Sequence, residues 1–183
     1  MKHYKFIFLI ALFAFSCGQQ PATTENVAAA EAPGAGQSAV KDDASEPDVV
    51  RVAVGSPDHT TLVTALQTAE YVDALSNAGP FTVFAPTNAA FDKLPAGTVE
   101  NLLKPESKAA LQNILEYHVY VGVIREDYVQ DGMKLNQVNL DNVILNKKDG
   151  KITVNGANVL GVVKASNGIV YVIDAVLLPP DKK

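Results

Sequence analysis

The last long apolar stretch of the chain, residues 169–178 (IVYVIDAVLL), restricts the possible folds more than any other feature. It carries one interior charge, Asp174, and Pro179 and Pro180 close it. A run of this kind is typical of a strand that is buried on both faces, and it is too short to cross a bilayer as a helix. The stretch therefore predicts a strand in the middle of a sheet, covered on both sides.

Helix signals fill the first half of the region that precedes this strand. Asp58 is placed to cap a helix, because its carboxylate can accept hydrogen bonds from amides in the first turn. Apolar residues then recur at helical spacing as far as residues 77–80, where Asn-Ala-Gly-Pro ends the helix. Shorter helices are predicted at 88–94 and 98–104, and Pro105 is placed to open a further one.

Strand and turn signals fill the second half, after one early strand at 81–86 (FTVFAP). Two β-rich runs, 143–147 and 151–155, flank Asp149-Gly150, which is the strongest hairpin signal in the chain. Asn155-Gly156 is a further turn signal. The pattern as a whole predicts an α+β fold, with helices first and a β-rich half after them.

The first 17 residues, MKHYKFIFLIALFAFSC, have the pattern of a secretory leader. Lys2 and Lys5 give a basic start, residues 6–15 form an unbroken apolar core, and small residues stand one and three positions before Cys17. The end of this segment resembles the lipobox of bacterial lipoproteins, which implies that residues 1–16 are a signal peptide and that Cys17 is acylated. Two or three acyl chains anchor a protein stably, whereas one gives marginal binding. An ordinary leader that contains a cysteine by chance is the alternative.

Residues 17–48 are predicted to be the lipid-bearing cysteine followed by a disordered tether. Ala, Pro, Gly, Ser, Thr and acidic residues dominate this segment, and large apolar side chains are almost absent. Such a composition buries too little surface to offset the chain entropy. The acids near its end, Asp48 among them, are interpreted as a solvated spacer. About thirty flexible residues span ~30 Å on average, which would hold the following domain, residues 49–180, away from the bilayer.

Charge and cysteine content exclude several classes of function. The chain has 20 acidic and 15 basic side chains, and removal of Lys2 and Lys5 with the leader would lower the basic count from 15 to 13. An acidic protein without a Lys/Arg cluster lacks the positive surface that phosphate backbones need, so no nucleic-acid partner is expected. Acylation of the single cysteine would leave no thiol for a disulfide, for catalysis or for metal binding.

Three sequence boxes resemble those of the fasciclin (FAS1) family. They are FTVFAPTNAAFDKLP at 81–95, ILEYHVYVG at 114–122 and NGIVYVIDAVLLPP at 167–180. The stretch VAVGSPDHTTLVTAL at 52–66 is similar to the opening helix of the family. The resemblance covers residues 49–180 and implies a single FAS1-like domain, a β-sandwich-like wedge of two β-sheets with helices packed on one side.

The resemblance also implies a function in adhesion or extracellular-matrix contact, without enzymatic activity. In the animal adhesion members of the family, integrin contact is attributed to the Tyr-His segment and to an Asp-Ile pair just before the third box. Tyr117 and His118 match the first of these and are candidate partner contacts. The second stretch reads GVVKA at 161–165, without an acidic residue, which argues against integrin-type binding.

The same residues also suit structural roles. A histidine at a helix-to-strand junction, fixed by a hydrogen bond, is the interpretation favoured for His118, and half-buried packing is favoured for Tyr117. A buried carboxylate needs hydrogen-bond donors, because leaving it unpaired is costly. We therefore expect Asp174 to accept from Thr87, Asn88 and the neighbouring amides, which would lock the last strand against the first box.

No arrangement of residues in the sequence points to a metal site or to catalysis. His59 lies in the first helical turn, is expected to be solvated, and shares no metal-ligand spacing with His118. No Gly-x-Ser-x-Gly elbow and no phosphate-cradling Gly-Lys-Ser/Thr loop occurs, and Ser56 is interpreted as part of a helix-start turn. We therefore expect no metal and no cofactor, with an enzyme as the less favoured alternative.

Together these features predict an envelope-tethered interaction module. Its partner would be a matrix or surface protein or polysaccharide, and its contact with the membrane would be the lipid on Cys17. Gly18, in place of an aspartate after the cysteine, favours an outer-membrane destination, with the domain facing either the periplasm or the outside. The alternative hypothesis is a carrier of a small apolar ligand, a lipid or a pigment, held between helix and sheet.

Overall fold

The structure is a computed structural model, and it describes residues 46–180. The predicted signal peptide, the lipobox cysteine Cys17 and most of the tether lie outside the described residues. The expectations for these segments therefore stay predictions. No helix between residues 46 and 180 is long and apolar enough to cross a membrane.

The first element is a helix that the sequence did not reveal, α1 (Val49–Val54). Asp48 caps it, with its Oδ1 accepting from the amides of Val50 and Arg51 at 2.9 and 2.8 Å. The interpretation of Asp48 as part of a solvated spacer is therefore wrong. Its carboxylate satisfies amides that a helix start leaves without partners.

The long helix predicted after Asp58 is divided in two. A 3₁₀ turn (Pro57–His59) leads into α2 (Thr60–Thr68), and α3 (Val72–Ser76) follows after a break. The break falls at Glu70, whose φ of 55° lies in the left-handed region and ends a helix. Asp58 lies within the 3₁₀ turn and does not cap α2, because the N-cap position of α2 is His59, whose side chain makes no capping bond.

The remaining helices follow the sequence prediction closely. They are α4 (Asn88–Asp92), α5 (Thr98–Leu102) and α6 (Lys108–Tyr117). Pro105 opens a 3₁₀ turn (Pro105–Ser107) that leads directly into α6, so it marks the start of this helical region as expected.

Seven strands form one continuous sheet in the order β2-β1-β7-β6-β5-β4-β3. The strands are β1 (Phe81–Pro86), β2 (Val119–Val121), β3 (Met133–Asn136), β4 (Asn142–Lys148), β5 (Lys151–Val154), β6 (Ala157–Ala165) and β7 (Gly168–Ile173). Strand β1 pairs in parallel with β7, and the other pairs are antiparallel. Asp149 and Gly150, at φ 50° and 77°, form the tight β4–β5 turn that the sequence predicts.

Strand β6 joins the two halves of this sheet. Its first residues, Ala157 and Asn158, pair with β5, and the strand pairs with β7 from Val159 onward, with a register shift between Val159 and Gly161. A shift of this kind bends the strand and increases its twist. The α+β fold is confirmed, and the two sheets expected from the family resemblance are continuous with each other through β6.

The central strand β7 is buried on both faces, as predicted. Val170 packs on the side that carries the helices, whereas Ile169, Tyr171 and Ile173 pack on the side enclosed by the β-rich half. All four are at most 4% exposed. The strand is shorter than expected, because it ends at Ile173, and the following residues, up to an exposed Leu178, are not part of the sheet.

Candidate functional site

The Tyr117-His118 pair, the sequence-based candidate for partner contact, lies at the end of α6. Tyr117 is 2% exposed and His118 is 3% exposed. Neither side chain is available to a partner in this structure. Both side chains instead form hydrogen bonds inside the domain.

His118 connects the helix with the segment that follows β7. Its Nδ1–H donates to the carbonyl oxygen of Ile114 at 2.7 Å, and its Nε2 accepts from the amide of Leu177 at 3.0 Å. This arrangement needs the neutral ring with the proton on Nδ1. Burial lowers the pKa of His118 from 6.5 to about 4, although the bond to Ile114 favours the charged form. The ring is a structural connection in its neutral form.

Tyr117 bonds in the opposite direction, towards the β-rich half. Its hydroxyl donates to the carbonyl oxygen of Asn142 at 3.0 Å and accepts from Nδ2 of Asn155 at 2.8 Å. Burial raises the pKa of this hydroxyl above its ordinary value. The side chain thus holds the start of β4 and the β5–β6 turn against the end of α6.

Asp174 does not bond to Thr87 or Asn88, so the expected polar lock is wrong in its partners. The Asp174 carboxylate accepts from the backbone amide and from Nδ2 of Asn158, at 2.8 and 2.9 Å, and lies 3.6 Å from Nζ of Lys93. The reason is that β7 ends at Ile173, one residue before Asp174. Asp174 therefore lies at the end of the sheet, beside the start of β6. Its side chain is 26% exposed. The bond to the Asn158 side chain is the main cause that lowers the pKa of Asp174.

The Thr87-Asn88 turn has two other structural roles. The amide of Thr87 donates to the carbonyl oxygen of Ile173 at 3.2 Å, so the first box and the last strand do meet here, through backbone. The Oδ1 of Asn88 accepts from the amide of Thr61 at 3.0 Å, and its Nδ2 donates to the carbonyl oxygen of Pro57. Asn88 therefore caps α2 from a distant part of the chain.

His59 is buried, at 6% exposure, so the expectation that it is solvated is wrong. Its Nδ1 lies 2.8 Å from Oγ of Ser56. Its Nε2 makes no hydrogen bond of ordinary geometry with the described residues, although the Ala85 carbonyl lies close enough to favour the charged ring. Burial has the larger effect and lowers the pKa of His59.

Two surface depressions were not foreseen from the sequence, because each is built from separated segments. The larger is an open groove of about 880 Å³ at the end of the sheet where β1 and β7 begin. We call it the strand-start groove. Three basic side chains line it: Arg51 from α1, Arg125 from the segment after β2, and Lys164 near the end of β6.

The second depression is an apolar cleft of about 440 Å³ between α1 and the face of β6 and β7. Six of the twelve residues that line it have small apolar side chains: Val52, Ala53, Ala85, Val163, Val170 and Val172. We call it the α1–β6 cleft.

The described residues contain no group of three or more His, Cys, Asp or Glu side chains that could hold a metal ion. The polar side chains buried near the helix-to-strand junction form hydrogen bonds within the domain, and the depressions lie elsewhere on the surface. The class of protein that this fold defines is a FAS1-type α+β domain. The Fasciclin domain family model matches residues 57–179, and the chain belongs to this family.

The chain is similar to several curated bacterial proteins. Protein sll1483 from Synechocystis sp. is 51% identical over 133 residues, which are 72% of this chain and 73% of that protein. The cell surface glycolipoprotein MPB83 from Mycobacterium bovis is 40% identical over 137 residues, covering 72% of this chain and 60% of MPB83.

A solved structure shares the fold. It is a FAS1 domain pair from the insect cell adhesion molecule fasciclin I, with a TM-score of 0.65 and 20% sequence identity. The match covers 72% of this chain and 51% of that one. The family and the fold expected from the three boxes are therefore confirmed.

Proposed function

We propose that this protein is a non-enzymatic contact module, held at the cell envelope by a lipid on Cys17, that mediates adhesion or matrix and biofilm association. The observation that carries the proposal is how the domain uses its polar groups. The hydrogen-bonding atoms of Tyr117 and His118 bind other parts of the fold, and open depressions lie on the surface. Such a construction suits a rigid scaffold that presents surface to a partner.

The relatives support a location at the envelope. MPB83 is named a cell surface glycolipoprotein. The present chain has a lipobox-like cysteine of its own, Cys17. A lipid anchor followed by a flexible tether raises the effective concentration of a binding domain near the membrane. We place the anchor in the outer membrane, and the partner is a matrix or surface protein or polysaccharide.

The test is attachment of cells that lack the protein, with add-back of the wild type, of Cys17→Ser and of Ser16→Ala. We expect attachment or biofilm cohesion to be lost on deletion and restored by the wild type. Ser16→Ala keeps the cysteine and should also restore attachment, whereas Cys17→Ser should not. Protease treatment of intact cells then shows whether the domain reaches the outside.

Two results would count against this proposal. One is normal attachment and cohesion in cells without the protein, on both abiotic and matrix-coated surfaces. The other is detergent partitioning and processing of Cys17→Ser that match the wild type, which would refute the lipid anchor.

The α1–β6 cleft favours a second candidate function, the transport or storage of a small apolar ligand such as a lipid or pigment. Its volume of about 440 Å³ and its valine and alanine walls fit a compact apolar body. Absorbance spectra and mass spectrometry of solvent extracts from the natively purified protein would identify a bound molecule. We expect Val163→Glu, inside the cleft, to remove it and Leu160→Glu, on the same strand but outside the cleft, to retain it. Extracts without any bound molecule would rule this candidate out.

A further inference from the structure

We propose that the strand-start groove binds acidic polysaccharide, with Arg51, Arg125 and Lys164 contacting the carboxylates of uronate sugars. This inference rests on the proposed contact function and names the class of partner and its site. The groove is separate from the Tyr117-His118 pair, neither of which lines it.

The charges of the groove differ from those of the chain as a whole. Acidic residues outnumber basic ones by 20 to 15 in the chain. Inside the groove three basic side chains face two acidic ones, Glu46 and Asp48. The chain has only two arginines, Arg51 and Arg125, and both line this groove. Arginine is the side chain best suited to carboxylates, because its planar fork can donate two parallel hydrogen bonds.

The two acids oppose an anion less than their number suggests. Asp48 accepts from two α1 amides through Oδ1, and its Oδ2 lies 3.8 Å from Nε of Arg51. Its charge is therefore compensated by the start of the helix as well as by Arg51. Glu46 stands exposed at the rim, where water and salt screen it.

Arg125 and Lys164 are well placed to exchange their present surroundings for a ligand. Nε of Arg125 lies 3.4 Å from Oδ1 of Asp127, and both side chains are 62% exposed. Exposed ion pairs of this kind contribute little to stability, so a ligand carboxylate can replace Asp127 at small cost. Lys164 is exposed, and no carboxylate among residues 46–180 forms a salt bridge with it.

The uncharged part of the groove suits sugar rings. Ala78, Pro80 and Val123 present exposed apolar surface that the C–H face of a sugar can cover. Ser76 and Ser166 add hydroxyl groups that can exchange hydrogen bonds with sugar hydroxyls. The groove is an open trough rather than an enclosed pocket, so a polymer can enter from the side and continue beyond it.

The groove is held in shape by the side chain of Asn167, one of the residues that line it. Its Oδ1 accepts from the amide of Val49 at 2.9 Å, and its Nδ2 donates to the carbonyl oxygens of Leu75 and Asn77 at 2.7 and 3.0 Å. These three bonds connect the start of α1, the end of α3 and the start of β7. The backbone around the groove, fixed in this way, loses little conformational freedom when a ligand binds.

The test measures binding of oligogalacturonates of defined length to the full chain in detergent, by titration calorimetry. Neutral dextran oligomers serve as the ligand control. The groove variant is Arg125→Gln/Lys164→Gln, and the matched control is Lys134→Gln/Lys151→Gln, which removes the same charge from exposed lysines of β3 and β5. We expect the groove variant to bind at least tenfold more weakly and the control to bind within twofold of the wild type. Affinity should rise with oligomer length and fall with added salt.

Several results would overturn the inference. These are absence of saturable binding to oligogalacturonate, equal binding of dextran, and an equal loss in the control variant. Binding of galacturonate monomer as tight as that of the oligomer would indicate a small-carboxylate site instead. Preferred binding to phosphatidylglycerol vesicles would indicate a membrane surface. If deletion abolishes attachment while oligogalacturonate does not bind, the contact function stands and this inference alone fails.

Discussion

Single buried side chains connect distant parts of this domain, and His118 is the clearest case. Its two ring nitrogens bond to Ile114 in α6 and to Leu177 in the last segment, and both bonds need the neutral ring. A protonated ring could not accept from the Leu177 amide, and it would place a charge in an apolar environment. The hydrogen bond from the Leu177 amide to His118, which fixes the segment after β7, is therefore sensitive to pH.

We predict that stability falls as the pH is lowered from 6.5 towards 4. In this range the unfolded chain binds a proton at the histidine, with a pKa near 6.5, whereas the folded domain holds the pKa of His118 at about 4. The contribution is therefore fully present above pH 6.5 and is lost progressively down to pH 4, by about 3 kcal/mol in total. Urea unfolding of wild type and His118→Gln at a series of pH values measures the difference.

The control for this experiment is His59→Gln. The pKa of His59 is also lowered by burial, so it adds a loss of stability in the same direction. His59→Gln should retain the part of the pH dependence that comes from His118, and His118→Gln should lose it. Parallel pH profiles for wild type and His118→Gln would show that the ring is not the origin of the effect.

At the scale of elements, Asp174 ties the end of β7 to the start of β6. Both carboxylate oxygens bond to Asn158, the last β6 residue that pairs with β5 before the strand pairs with β7. Lys93, which directly follows α4, adds a hydrogen bond from its Nζ to the Asp174 carbonyl oxygen at 2.6 Å. A helix and two strands therefore meet at this one residue.

We predict that Asp174→Ala costs on the order of 1 kcal/mol of unfolding free energy. This value lies below the roughly 1.5 to 3 kcal/mol typical of a hydrogen bond to a charged group, because the Asp174 side chain is partly exposed. Asn158→Ala should cost a similar amount, and the double variant should cost clearly less than the two single losses together. Thr87→Ala serves as the control and should show no such coupling to Asp174→Ala. Additive losses for Asp174 and Asn158 would contradict the assignment.

Elements with a strong local signal were predictable from the sequence. Asp149-Gly150 favours a tight hairpin because both residues tolerate positive φ, and the β4–β5 turn forms there. The apolar run at 169–178 likewise predicted the buried centre of the sheet. Strand β6 carries no comparable signal, since the register shift disturbs its alternation of buried and exposed residues.

Features that depend on distant residues were not predictable in this way. Asn88 caps α2 from 27 residues away, and Asp174 bonds across a strand pair whose register the sequence does not specify. The strand-start groove combines α1, the loop after α3, the segment after β2 and the β6–β7 turn. Its arginines are therefore close only in the folded domain.

At the scale of the whole molecule, the parallel pair β1–β7 holds the helical part and the β-rich part together. Each strand contributes to both core clusters: Val83 and Val170 face the helices, and Phe84 and Tyr171 face the other side. The rings of Phe84 and Tyr171 are in contact, with centroids 5.7 Å apart. Disruption of this pair should therefore affect both halves of the domain at once.

Gly168, the first residue of β7, tests this dependence. A Cβ at this position would overlap the backbone carbonyl of Phe81 in β1, and backbone cannot move aside without separating the two strands. We predict that Gly168→Ala lowers the unfolding free energy by about 2 to 3 kcal/mol. A domain of this size has an unfolding free energy of only about 5 to 15 kcal/mol, so the variant should unfold at a much lower urea concentration.

The control is Gly161→Ala on the neighbouring strand, where a Cβ meets no atom within 4 Å. It should change the unfolding free energy by no more than about 0.5 kcal/mol. Equal unfolding midpoints for the two variants would show that the close approach of β7 to β1 does not hold the two parts together.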